Sequence, residues 1–107
     1  MSEVDDAHPE DILEAIEAAL SVPGNHLQGD KVLNFLLRAD GKQVTRKALC
    51  DKFGEGWLHL SFGALCERVA RALGDPSPKP YALTDTVKTP DGPALRLKSS
   101  VVEALKN

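Results

Sequence analysis

No lysine or arginine precedes Lys31, and no long apolar stretch follows Met1, so the signature of an export signal is missing and a cytoplasmic location is expected. No apolar run anywhere approaches the roughly 18–20 residues that a membrane-spanning helix needs, so no membrane partner is expected. Cysteine is scarce. Cys50 and Cys66 form no Cys-x-x-Cys pair and have no histidine at zinc-finger spacing, which argues against a metal site. With Leu49, Phe53, Leu65 and Val69 as neighbours, the two thiols read as small buried hydrophobes, with a redox pair as the other reading. The three histidines, His8, His26 and His59, stand apart from one another. No Ser-His-Asp pattern, His-x-x-x-His pair or phosphate-cradling glycine loop accompanies them, so neither enzymatic activity nor a cofactor is expected. His8 reads as punctuation at a helix start, and His26 and His59 as loop residues. The single tryptophan, Trp57, reads as a lid on the core, and the single tyrosine, Tyr81, as an anchor for a C-terminal hairpin.

What is present is enough for one core. A chain of 107 residues, 42% hydrophobic and 27% charged, falls within the range of an ordinary globular domain. Its net charge of −3 hides an asymmetry: eight of the sixteen acids lie in residues 1–30, while all thirteen cations lie from Lys31 onward against the remaining eight acids. The leader is therefore near −8 and the body near +5. Such a division suggests an acidic interaction segment, residues 1–24, attached to a mildly basic module, residues 25–107. A solvated helix face with no dedicated partner would give the same charge pattern.

Apolar periodicity sets the expected elements. Pro9, followed by Glu10 and Asp11, marks a helix start, and Ile12, Leu13, Ile16, Ala19 and Leu20 give it one apolar stripe before Pro23-Gly24 stops it. Gly29-Asp30 offers an N-cap for a second helix carrying Val32, Leu33, Leu36 and Leu37. After a turn at Asp40-Gly41 and an extended bridge at Gln43-Val44, Thr45 caps a short third helix over residues 46–53. A loop through Trp57 and Leu60 then leads to Ser61, expected to cap a fourth helix in which Phe62, Leu65, Cys66, Val69, Ala72 and Leu73 recur at helical spacing. Gly74 and the proline-rich run to Pro80 form a stiff connector. From Tyr81 the period changes to two, and a turn around Pro90-Asp91-Gly92 joins two strands into a hairpin. Its expected outward residues are Thr84, Thr86, Lys88, Arg96 and Lys98. Ser99 or Ser100 can cap a last helix through Val101, Val102 and Leu105.

The expected fold class is thus mostly α with a small β-hairpin. The order helix, bridge, helix, loop, helix, hairpin is the plan of a winged helix-turn-helix, here with an extra acidic N-terminal helix. Residues 31–38, 40–46 and 48–49, together with the run Ala64-Leu65-Cys66-Glu67-Arg68-Val69-Ala70-Arg71-Ala72-Leu73-Gly74-Asp75, resemble the DNA-binding output domain of OmpR-type response regulators. The resemblance spans residues 27–98. It rests on a leucine-rich helix leading through a glycine turn to a Val-Thr-Arg helix start, and on a Leu-Gly-Asp segment ahead of a wing that begins at tyrosine. The chain departs from that family in having no receiver domain, an acidic helix in place of the N-terminal sheet, and a return strand without the glycine-rich, aromatic ending.

On this reading the chain is a DNA-binding transcriptional regulator or accessory factor. Its fourth helix would enter the major groove and present Ser61, Gly63, Ala64, Glu67, Arg68 and Arg71. Arg68 and Arg71 would read guanine, at about 1–3 kcal/mol of discrimination per good bidentate pair. Arg46, Lys47 and Lys79 would hold phosphates, with Lys88, Arg96 and Lys98 reaching from the wing. A homodimer through the apolar faces of the first or last helix would double those contacts. The other reading is a protein-binding winged helix, an accessory or inhibitor protein that meets a partner through its acidic N-terminal helix. Acids spread over a packed helix favour that second reading, whereas acids on a mobile tail favour autoinhibition of the basic face.

Overall fold

Pro9 occupies the first turn of helix α1 (Pro9–Leu20), where its missing N–H costs nothing, and Glu10 and Asp11 sit beside the positive end of the helix dipole. The computed structural model describes residues 7–39, 42–54, 58–77 and 81–106. The expected turn at 40–41, residues 55–57 with Trp57, and residues 78–80 with Lys79 lie outside them. The stripe of α1 points inward: Ile12, Ala15, Ile16 and Ala19 are buried, with Leu13 and Leu20 packed at the margin of the core. Its acids Glu10, Asp11, Glu14 and Glu17 all lie on the exposed side.

Helix α2 (Gly29–Arg38) follows directly from a 3-10 turn at Asn25–Gln28. Gln28 in the cap position is already helical, so neither Gly29 nor Asp30 caps the helix; the Asp30 carboxylate instead accepts a hydrogen bond from the Asn34 amide at 3.2 Å. Thr45 does cap helix α3 (Arg46–Phe53), its hydroxyl oxygen accepting from the Ala48 N–H at 3.1 Å. The expected loop before the fourth helix is partly helical. Residues Leu58–Phe62 form one π-helical turn that runs into α4 (Gly63–Ala72). Ser61 therefore does not cap that helix; it is buried inside the π turn, next to the start of α2.

The bridge Val44–Thr45 is strand β1, and it joins β2 (Thr84–Thr89) and β3 (Gly92–Leu97) in a three-stranded antiparallel sheet of order β1-β3-β2. Thr89 pairs with Gly92 across a two-residue turn. Pairing of Thr84 with Leu97 and Thr86 with Leu95 places those threonines on the face of the two buried leucines. Of the β2 residues expected to face outward, Thr86 and Lys88 are exposed and Thr84 is buried, while Asp85 and Val87 share the opposite face with Arg96 and the buried Ala94. Tyr81–Leu83 is a turn with Tyr81 at φ 67°, so the strand starts three residues later than the alternation implies.

Helix α5 (Ser99–Lys106) packs on α1, which also packs on α4. The apolar faces expected to serve a homodimer thus meet within one chain: Ile12 and Ile16 join Val101 and Ala104 in the same core as Leu33, Leu36, Leu65 and Val69. The acidic helix is part of that core. The fold is mostly helical with a small antiparallel sheet, and among the described residues no helix is long and apolar enough to cross a membrane.

Candidate nucleic-acid interface

Helix α4 turns Leu65, Cys66, Val69 and Ala70 inward, which leaves Ala64, Arg68 and Arg71 on the opposite side. Spacings of four and three residues place these three on one face. Arg68 and Arg71 are exposed and Ala64 and Glu67 half-buried, so the face combines two long cations with a small residue that lets another molecule approach closely. Gly63 and Ser61, expected on the same face, are buried. Ser61 inside the π turn and Gly63 at the first position of α4 are thereby removed from any surface that another macromolecule could touch.

The arginines do not stand alone. Ala18 and Ala19 of α1, with Val22 just past its end, form the other wall of a groove of about 530 Å3 in which Ala64, Arg68 and Arg71 lie. Val22 is among the exposed large hydrophobic residues. Further along, Asp11 and Glu14 of α1 border Ala72 and Leu73 at the C-terminal end of α4. The positive stretch of α4 is thereby flanked by a negative one. Sequence periodicity located Arg68 and Arg71 but missed this wall, because the contact between α1 and α4 is set by packing and not by any local pattern.

Arg46 and Lys47 are exposed at the start of α3. The Arg46 guanidinium carbon lies 5.6 Å from the centroid of the Tyr81 ring, within cation–π range, which holds it beside the entry to the hairpin. The three hairpin cations do not share a face. Lys88 is exposed opposite Pro93, on the Thr86 side, whereas Arg96 stands opposite Asp85 on the other side. Asp85 engages two cations at once, Lys98 Nζ at 2.9 Å and Arg96 Nη2 at 3.9 Å. The Lys98 side chain is only 12% exposed, so it does not point outward as expected. Its charge is turned along the sheet toward Asp85.

His26 is not a loop residue on the surface. It is buried, and its Nε2–H donates to the Ala19 carbonyl oxygen at 2.7 Å, closing the C-terminal end of α1. Both cysteines are free thiols, Cys50 half-buried and Cys66 buried. Burial pushes the Cys66 thiol up to about 12, against the smaller opposing pull of backbone hydrogen bonding at Leu83, Tyr81 and Ala82. A thiol held protonated in this way is a packing group and not a nucleophile. No family model, no curated protein and no solved structure matches this chain.

Proposed function

We propose that the chain is a winged helix-turn-helix module of the kind found in OmpR-type output domains, and that it binds duplex DNA in the cytoplasm as a transcriptional regulator or accessory factor. The order α2, β1, α3, α4, β2, β3 and the sheet order β1-β3-β2 support the fold reading, with α4 as recognition helix and the β2–β3 hairpin as wing. The observation that carries the function is the pair Arg68 and Arg71, exposed together beside Ala64 on the outer face of α4. Arginines so placed fit guanine O6 and N7 in the major groove. Arg46, Lys47 and Lys88 are exposed and would hold phosphates, which fix orientation without reading sequence.

Binding is expected to be weak and salt-sensitive, because Asp11 and Glu14 border α4 and Asp85 occupies two wing cations. The test is titration of fluorescent random-sequence duplex DNA at two salt concentrations. Arg68→Ala with Arg71→Ala should abolish binding, and Asp11→Asn with Glu14→Gln should strengthen it. Neutralising the acids is a cleaner probe than deleting α1, whose Ile12 and Ile16 are core residues. Wild-type protein that fails to bind at low salt would refute the DNA reading.

One observation favours the second reading, a protein-binding accessory or inhibitor. Glu10, Asp11, Glu14 and Glu17 are exposed on a helix that is packed along its length, so they form a fixed acidic surface suited to a basic partner. Binding to a basic partner that Glu14→Lys with Glu17→Lys removes, in a protein indifferent to DNA, would establish it.

A further inference from the structure

On the side of the molecule formed by α2 and α3, two phenylalanines meet. Phe35 and Phe53 lie with ring centroids 5.7 Å apart and planes at 77°, an edge-to-face pair. Both are only partly buried, and they form the floor of an open groove of about 700 Å3, larger than either groove beside α1. That volume lies within the range of small-molecule sites, about 300–1,000 Å3.

The walls of this groove are positive. Lys31, Asn34 and Arg38 follow one another along α2 at spacings of three and four, and Lys52 faces them from α3. Lys52 Nζ lies 5.2 Å from the Phe35 centroid and 5.8 Å from the Phe53 centroid, so its charge is held over both rings. Among the described residues that line the groove there is no carboxylate. Asp30 approaches from the edge, where it accepts from the Asn34 amide. The other basic regions differ: Glu67 shares the face of Arg68 and Arg71, and Asp85 engages Arg96 and Lys98.

We propose that this groove docks an acidic peptide segment of a partner protein: one carboxylate draws Lys52 off the rings, an aromatic or leucine side chain takes its place on the Phe35–Phe53 pair, and a second carboxylate meets Arg38. A phosphate backbone would satisfy the cations and leave the aromatic floor unfilled. A neutral apolar segment would cover the floor and leave the cations desolvated at its rim. A segment with both characters uses the whole surface, and charged rims of this kind steer encounter and select partners. The groove shares no lining residue with the α4 face, so the proposal stands independently of DNA binding.

The experiment is fluorescence anisotropy with a labelled acidic peptide built around a central Trp-Leu pair. A second peptide carries Gly-Ser in place of Trp-Leu, and a labelled random-sequence duplex is the third probe. The first peptide should bind saturably. The Arg38→Glu/Lys52→Glu variant should weaken it by about tenfold or more, as expected for two reversed rim charges. Both residues are exposed, so the variant should keep the circular dichroism spectrum and melting temperature of the parent. Three results would overturn the proposal: no binding of the Trp-Leu peptide, equal binding of the Gly-Ser peptide, or equal affinity in the variant. Loss of duplex binding in Arg38→Glu/Lys52→Glu as large as that in Arg68→Ala/Arg71→Ala would also overturn it, by making the groove part of a phosphate-binding face.

Discussion

His26 Nε2 sits 2.7 Å from the Ala19 carbonyl oxygen, and this buried contact joins the last turn of the acidic helix to the 3-10 turn that leads into α2. The end of α1 has no basic residue to interact with its carbonyls, so the imidazole N–H takes that role. Replacing it leaves a buried acceptor poorly satisfied and a void. His26→Ala should therefore destabilise the fold by about 1–3 kcal/mol, read as a fall in urea midpoint with unchanged m-value. His26→Gln, whose amide can donate to the same oxygen, should recover part of the loss. An Ala variant as stable as the parent would show that the contact contributes nothing.

Gly29 is where α2 meets the π turn. A Cβ there would stand 2.6 Å from the Ser61 carbonyl oxygen and 2.9 Å from the Phe62 Cα, both backbone atoms that cannot swing aside as a side chain would. Gly29→Ala should thus cost about 1–3 kcal/mol or more despite the better helix propensity of alanine. Thermal unfolding would register it as a drop of about 4–8 °C per kcal/mol. A rise in melting temperature would mean that helix propensity outweighs the close approach.

These two positions also show where local pattern stops being informative. The helices were legible because 3.6-residue periodicity is a property of short windows: Ile12 and Ile16, Val32 and Leu36, Leu65 and Val69 are all buried as their spacing implies. Arg68 and Arg71 were legible for the same reason, as the complement of a buried stripe. The π turn was not, since a serine ahead of an apolar run is also what an N-cap looks like, and only contact with Gly29 draws Ser61 inside. The hairpin facing was only partly legible, because both parities of β2 carry plausible inward residues. Pairing with Leu95 and Leu97 decides between them, and that separates Lys88 from Arg96. His26 read as a loop residue because its partner, Ala19, becomes its neighbour only through the chain reversal at Gly24, where φ is 154°.

Cys66 supplies a pH dependence. Its thiol is held at about 12, against an ordinary value of 9.0, chiefly by burial. Between those values the unfolded chain releases a proton that the folded chain retains, so this group's contribution to stability is complete below pH 9 and is lost as pH rises toward 12. The slope is at most about 1.4 kcal/mol per pH unit. Other groups titrate in the same window, so the quantity to measure is the difference in unfolding free energy between the parent and Cys66→Ala from pH 8 to pH 11. The difference should shift steadily in favour of the alanine variant as pH rises. Native protein should also expose Cys50, and not Cys66, to a thiol reagent. Curves that stay parallel across this range would refute the assignment.

Asp85 bears most directly on DNA binding. It stands opposite Arg96 in the β2–β3 ladder and also holds Lys98 at 2.9 Å, so one carboxylate neutralises two of the three cations of the hairpin. The half-exposed Arg96 pair stabilises the fold by about 0–1 kcal/mol, but the Lys98 side chain is only 12% exposed, so Asp85→Asn leaves a largely buried ammonium short of its carboxylate and should lower the melting temperature measurably. A freed Arg96 that reaches a phosphate releases a counterion, and the slope of log K against log salt should steepen by about 0.9 for each such contact. Asp85→Asn should therefore bind random-sequence duplex more tightly at low salt and lose that advantage as salt rises. Unchanged affinity and slope would show that the Arg96 face of the hairpin stays clear of the DNA, leaving Lys88 on the opposite face as the wing's contact. Weaker binding would show instead that Asp85 holds Arg96 and Lys98 in the geometry that DNA requires, which makes the carboxylate a positioning group and not a brake.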